Sequence, residues 1–177
     1  MLKKVLMLTL ILAAGSVTPA MTLQISANGI LNPVDSEINL IPSQTVMLDI
    51  WSPDGYQPGD DVYFGLVCDP AYGSISGGVS YIQHPGRIVP YEEIGSYFLP
   101  LEGIYGFIGD IQPIPPGVYF GEITFHCEAF GEAVIKLITT LDFENFTLAD
   151  QLVIHQLPEP ATAFMLIAGA VVLLRKR

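Results

Sequence analysis

Read as apolar and polar positions, the chain between its two ends alternates with period two and sustains no long three-to-four spacing of an amphipathic helix. From Thr45 to Trp51, Val46, Leu48 and Ile50 fall on one side and Thr45, Met47, Asp49 and Trp51 on the other, which predicts a strand with one buried face. Asp61 to Cys68 aligns Val62, Phe64, Leu66 and Cys68. Val118 to Glu128 sets Tyr119, Ile123, Phe125 and Cys127 against Phe120, Glu122, Thr124, His126 and Glu128. Residues 132–140 and 151–156 also read as strands, as do 23–27 and 37–41. Turn signals punctuate them at Asn28-Gly29, Pro53-Asp54-Gly55, Pro58-Gly59-Asp60, Pro115-Pro116-Gly117 and Gly131. Between Tyr72 and Tyr119, nine Gly and six Pro in 48 residues predict short strands, turns and long connections, with a helical turn near 91–97. Many short strands without strand-helix alternation predict an all-β domain, an antiparallel β-sandwich over residues 22–157, with a barrel as the structural alternative.

The two ends depart from this pattern. Residues 1–20 combine a basic start (Lys3, Lys4), an apolar run from Val5 to Ala14 and a small-residue ending, Thr18-Pro19-Ala20. That is the layout of a signal peptide helix, removed by signal peptidase, and it predicts export with Met21 opening the mature chain. At the other end Ala161 to Leu174 is uncharged and is followed directly by Arg175, Lys176 and Arg177. As a helix this run extends about 21 Å, a marginal span of a bilayer core of roughly 30 Å. The basic end holds the extreme C-terminus on the cytoplasmic side.

Pro158-Glu159-Pro160, the apolar helix and the basic terminus, in that order and in a chain with an export signal, resemble the PEP-CTERM sorting signal over about the last twenty residues. The resemblance implies recognition of the tripeptide by a membrane-embedded, exosortase-like processing enzyme and delivery to the cell surface, envelope or extracellular matrix. The two prolines keep the preceding backbone extended and accessible. Within the sandwich, Gly117-Val118-Tyr119-Phe120-Gly121-Glu122-Ile123-Thr124-Phe125 resembles a late strand of cohesin-like modules, and the strand order is similar to cohesin-like and immunoglobulin-like modules. That second resemblance implies a protein-binding module.

Composition sharpens the picture. Half the residues are hydrophobic and 14% are charged, so there is ample apolar material for a core. Five of the seven bases sit at the extreme ends; residues 21–157 retain two, Arg87 and Lys136, against 17 acids, a formal charge of −15. A phosphate backbone is repelled by such a surface, so nucleic acid is excluded as a partner.

The candidate chemistry is sparse. Cys68 and Cys127 are the only cysteines; in an exported chain they are read either as a disulfide pinning the sheets or as two buried thiols. His126 adjoins Cys127, but neighbours on a strand point to opposite faces, so no Cys-His pair follows. His84, His126 and His155 lack zinc spacing, and no cofactor is implied. Asp54, Asp60, Asp61 and Asp69 border predicted loops and are weak calcium candidates or simply solvated turns. Glu92 with Glu93, or Glu122 with Glu128, are acids without a defined separation, and Gly73-Ser74-Ile75-Ser76-Gly77 carries isoleucine where a nucleophile elbow needs serine. The reading is therefore non-enzymatic. Trp51 and Tyr56 flank the Ser52-Pro53-Asp54-Gly55 turn and are either glycan-stacking rings or, for Trp51, a cap on the core edge. The expected role is a structural or adhesive protein of the surface or matrix. The alternative is a binding module for a protein or extracellular polysaccharide.

Overall fold

The computed structural model describes residues 21–31, 33, 35–41, 43–82, 87–89, 102–142 and 145–157. The signal segment, Pro158-Glu159-Pro160, the apolar tail, His84, Glu92, Glu93 and the helical turn at 91–97 lie outside them. Among the described residues no helix is long and apolar enough to cross a membrane.

Among the described residues eleven strands are formed: β1 (Gln24–Ala27), β2 (Ile30–Leu31), β3 (Ser36–Leu40), β4 (Thr45–Ser52), β5 (Val62–Cys68), β6 (Gly73–Ser80), β7 (Arg87–Val89), β8 (Glu102–Ile108), β9 (Gly117–Cys127), β10 (Gly131–Thr140) and β11 (Thr147–Gln156). Sheet A has the order β2-β1-β4-β9-β6 and sheet B the order β3-β11-β10-β5-β8-β7. The adjacencies β1-β4-β9-β6 and β11-β10-β5 reproduce the ABED and GFC sheets of immunoglobulin-type sandwiches, with the β7-β8 hairpin inserted beside β5. The all-β sandwich expected from the alternation is thus present. One pairing departs from the antiparallel expectation: β3 runs parallel to β11, Ser36 opposite Leu152 through Leu40 opposite Gln156. The cause is that the chain changes sheets after β2, so the next strand meets the last one with the same direction.

The faces expected from the pattern meet in one core. Val46, Leu48 and Ile50 of β4 are buried against Phe64 and Leu66 of β5 and Ile135 and Leu137 of β10. Phe64 of sheet B and Phe120 of sheet A stack with ring centroids 4.6 Å apart and planes at 55°, the tilted geometry that aromatic quadrupoles favour. Phe120 corrects the period-two reading of β9, which placed it outside. Register shifts on either side of Ile50 insert extra residues into β9, so Tyr119 and Phe120 are both buried.

The two sheets are also tied at the polar level. Asp150 of β11 is almost fully buried, and its carboxylate accepts N–H bonds from Ile25 of β1 (2.7 Å), Asp35 (3.1 Å) and Gln151 (2.7 Å). Ile25 belongs to sheet A and Asp150 to sheet B, so one side chain satisfies donors where the chain crosses between layers.

Candidate functional site on the outer face of sheet A

The outward positions of sheet A gather Ser26 on β1, Met47, Asp49 and Trp51 on β4, Thr124 and His126 on β9, and Ser74 and Ser76 on β6, as their registers require. At the centre β9 is irregular. Glu122 adopts φ 58°, a left-handed conformation that costs a non-glycine residue about 1–2 kcal/mol. On β6, Gly77, the register partner of Ile123, has φ 77°, and a Cβ there would lie 2.8 Å from the Glu122 carbonyl oxygen. The bulge turns the Glu122 side chain out to solvent.

Tyr81 follows β6 directly. Its N–H donates to the Tyr119 carbonyl at 2.9 Å, which fixes its backbone to β9, and its ring crosses Gly121. A Cβ on Gly121 would meet Tyr81 Cε2 at 2.6 Å and Asp49 Oδ1 at 2.7 Å, so the missing side chain is what lets both lie there. The Tyr81 hydroxyl donates to Glu122 Oε1 at 3.2 Å, and Ser26 Oγ donates to Asp49 Oδ2 at 3.3 Å. The Tyr81 phenol is shifted up from its ordinary value by desolvation against the sheet and then by the Glu122 and Asp49 carboxylates. Even so, Tyr81 is 51% exposed. On its other side it walls a cleft of about 380 Å³ with Asp110, Gln112, Pro113, Pro115 and Val118.

Trp51 stands on this face, half-buried and opposite Gln24. Tyr56 does not join it. It is fully buried, its hydroxyl lying 2.6 Å from both Asp61 Oδ1 and the Asp110 carbonyl and accepting the Asp110 N–H at 2.8 Å, so it offers no ring face to a glycan. Burial raises its phenol, and the Asp61 carboxylate adds to the shift. The same contacts account for the calcium candidates: Asp61 holds Tyr56, Asp60 Oδ2 accepts the Gln57 N–H at 3.4 Å, and Asp54 is exposed at its turn. Asp69 Oδ1 accepts the Ala71 N–H at 2.9 Å. Among the described residues no three His, Cys, Asp or Glu side chains gather to hold a metal.

Cys68 and Cys127 are both buried and stand as free thiols in this structure. Cys68 Sγ donates to the Gly73 carbonyl at 3.4 Å, and Gly73 is itself the register partner of Cys127. Burial pushes the Cys68 thiol up to about 12, with Asp69, Glu102 and Glu128 adding to the effect, and burial also raises Cys127. Neither is an activated nucleophile. Glu122 and Glu128, at opposite ends of the outer half of β9 and just beyond it, are about 20 Å apart along the strand direction, too far for a glycosidase pair.

No family model matches the sequence, and no curated protein matches it. Among solved structures, the sixth cohesin of scaffoldin B from Acetivibrio cellulolyticus, determined in complex with a mutant Cel5 dockerin, matches with a TM-score of 0.46 at 12% identity, over 78% of this chain and 99% of that one. CaCohA2 from Clostridium acetobutylicum matches with a TM-score of 0.49 at 11% identity, covering 77% and 92% of the respective chains. A non-cellulosomal cohesin from the archaeon Archaeoglobus fulgidus matches with a TM-score of 0.45 at 10% identity, covering 81% and 97%. At this level of likeness neither a family nor a partner is assigned to this chain.

Proposed function

We propose that the chain is an exported, non-catalytic module, displayed at the cell envelope or in the extracellular matrix, that binds a macromolecule through the outer face of sheet A. The observation that carries the binding role is Tyr81, half exposed and held across Gly121 between the carboxylates of Asp49 and Glu122. Export and display are supported by the terminal segments: the signal-peptide layout of residues 1–20 and the resemblance of residues 158–177 to a PEP-CTERM signal. Signal peptidase and an exosortase-like enzyme acting at Pro158-Glu159-Pro160 are the processing partners of this reading, and the apolar tail anchors the chain in the membrane until processing. A role other than catalysis fits the raised thiols and the separated glutamates.

The test joins location to binding. The native protein is recovered from the envelope or matrix fraction with its N-terminus beyond residue 20, and the purified protein co-sediments saturably with matrix from cells that lack it. The Tyr81→Ala variant stays in the supernatant. Recovery from the cytoplasm with Met1 intact, or co-sedimentation of Tyr81→Ala equal to wild type, overturns the proposal.

A further inference from the structure

We infer that the outer face of sheet A is a platform for a neutral, hydroxyl-rich glycan chain, with Tyr81 and Trp51 as stacking rings and Asp49 and Glu122 as acceptors for sugar hydroxyls. This rests on the reading of the face as the binding surface and names its ligand class.

Three features of the face select that chemistry. The first is the pairing of exposed ring with carboxylate. Asp49 and Trp51 are alternate residues of β4, about 7 Å apart along the strand, and Asp49 reaches the edge of Gly121 that the Tyr81 ring crosses. Asp49 thus lies on the same face as both rings, with Glu122 exposed beside the second ring. An apolar ring face packs against the C–H face of a sugar, and an ionised carboxylate accepts from hydroxyl donors.

The second feature is charge. Residues 21–157 carry a formal charge of −15, and Asp49 and Glu122 place two of the negative charges on the platform. A polyanionic polymer is repelled from it, whereas an uncharged polyhydroxyl chain presents donors to the carboxylates at no electrostatic cost. The third is that the arrangement is built and not incidental. Tyr81 lies across Gly121, where a Cβ would strike its ring, Glu122 is held in a left-handed conformation with its carbonyl facing Gly77, and the cleft that Tyr81 walls extends past Val118. A basic polypeptide would satisfy the carboxylates but would leave the half-exposed Tyr81 ring and the partly buried Trp51 ring without the flat partner they fit.

The full-length chain, kept in a polyoxyethylene detergent that carries no sugar, is run in native affinity gels containing hydroxyethylcellulose, galactomannan or dextran, with alginate and poly-lysine gels alongside. At least one neutral polymer retards the protein, and alginate does not. Tyr81→Ala weakens the retardation at least tenfold. Gly121→Ala does the same, because its Cβ displaces the Tyr81 ring and the Asp49 carboxylate while its backbone conformation suits alanine. Leu141→Ala, at an exposed position of the β10-β11 hairpin, binds as wild type. Unfolding midpoints of both platform variants near that of the wild type separate loss of binding from loss of fold. Retardation by no neutral polymer, by poly-lysine alone, or equally in wild type and both platform variants overturns the inference. If matrix co-sedimentation remains dependent on Tyr81 but is abolished by protease treatment of the matrix, the module binds protein, and the glycan assignment fails while the binding role stands.

Discussion

Replacing Asp150 by Asn tests whether one buried carboxylate joins the two sheets. The carboxylate accepts three backbone N–H bonds, with Ile25 on Oδ2 and Asp35 and Gln151 on Oδ1. An amide has one acceptor oxygen. In its better orientation it keeps Oδ1 and turns an NH₂ toward the Ile25 N–H, leaving a buried donor facing a donor at a cost of about 1–3 kcal/mol. The two retained bonds lose their charge assistance, about 1 kcal/mol each, and removal of a buried charge offsets part of the total. The expected loss is about 2–4 kcal/mol, or roughly 8–16 °C in Tm for a domain of this size. Urea unfolding followed by the fluorescence of Trp51, the single tryptophan, measures it. Asp54→Asn, at an exposed turn, serves as the control and changes stability by less than about 0.5 kcal/mol. A loss below about 0.5 kcal/mol in Asp150→Asn refutes the coupling.

Three further outcomes follow from buried groups. Native protein reacts negligibly with a thiol reagent at pH 8, where a thiol near 12 is ionised in only about one molecule in ten thousand, and two thiols per chain react once it is unfolded without reductant. Because the folded Cys68 thiol is raised above its ordinary value, its contribution to stability is complete below pH 9 and declines toward pH 12, by about 1.4 kcal/mol per pH unit, and Cys68→Ala flattens that decline in alkaline urea titrations. Tyr56→Phe removes a buried hydroxyl that serves Asp61 and both backbone groups of Asp110, and equilibrium unfolding detects a loss of about 1–3 kcal/mol.

Alternation alone made β4 and most of β10 and β11 legible, because buried and less buried positions alternate along them up to the register shift at Leu137/Ile138. The same rule failed at Phe120, since a period-two reading assumes no bulge. It also left β6 unassigned. Gly73, Gly77 and Gly78 carry no side chain to mark a face, and an eight-residue strand looked like part of a long connection. Tyr56 shows a different limit: an aromatic residue beside a Pro-Asp-Gly turn reads as exposed, and only the return of Asp61 and Asp110 over it explains its burial. The platform itself joins residues remote in sequence. Asp49 and Tyr81 meet because β4 and β6 flank β9, an adjacency that strand patterns do not encode. Glu122 was visible only as an acid; its left-handed backbone was not.

The position of β11 has a mechanical consequence. It is an interior strand, gripped by β10 from Gly131 to Thr139 and by β3 from Ser36 to Leu40, and it is the last strand among the described residues. A pull on the chain beyond Leu157 runs along its axis and loads both ladders in shear, so many bonds must yield together, whereas an edge strand pulled sideways would peel one bond at a time. Asp150 passes part of that load to Ile25 and so into the sheet that bears Trp51 and Tyr81. If the chain is tethered beyond Leu157 and gripped on its outer face, as proposed, the load passes through the strongest direction of the sandwich.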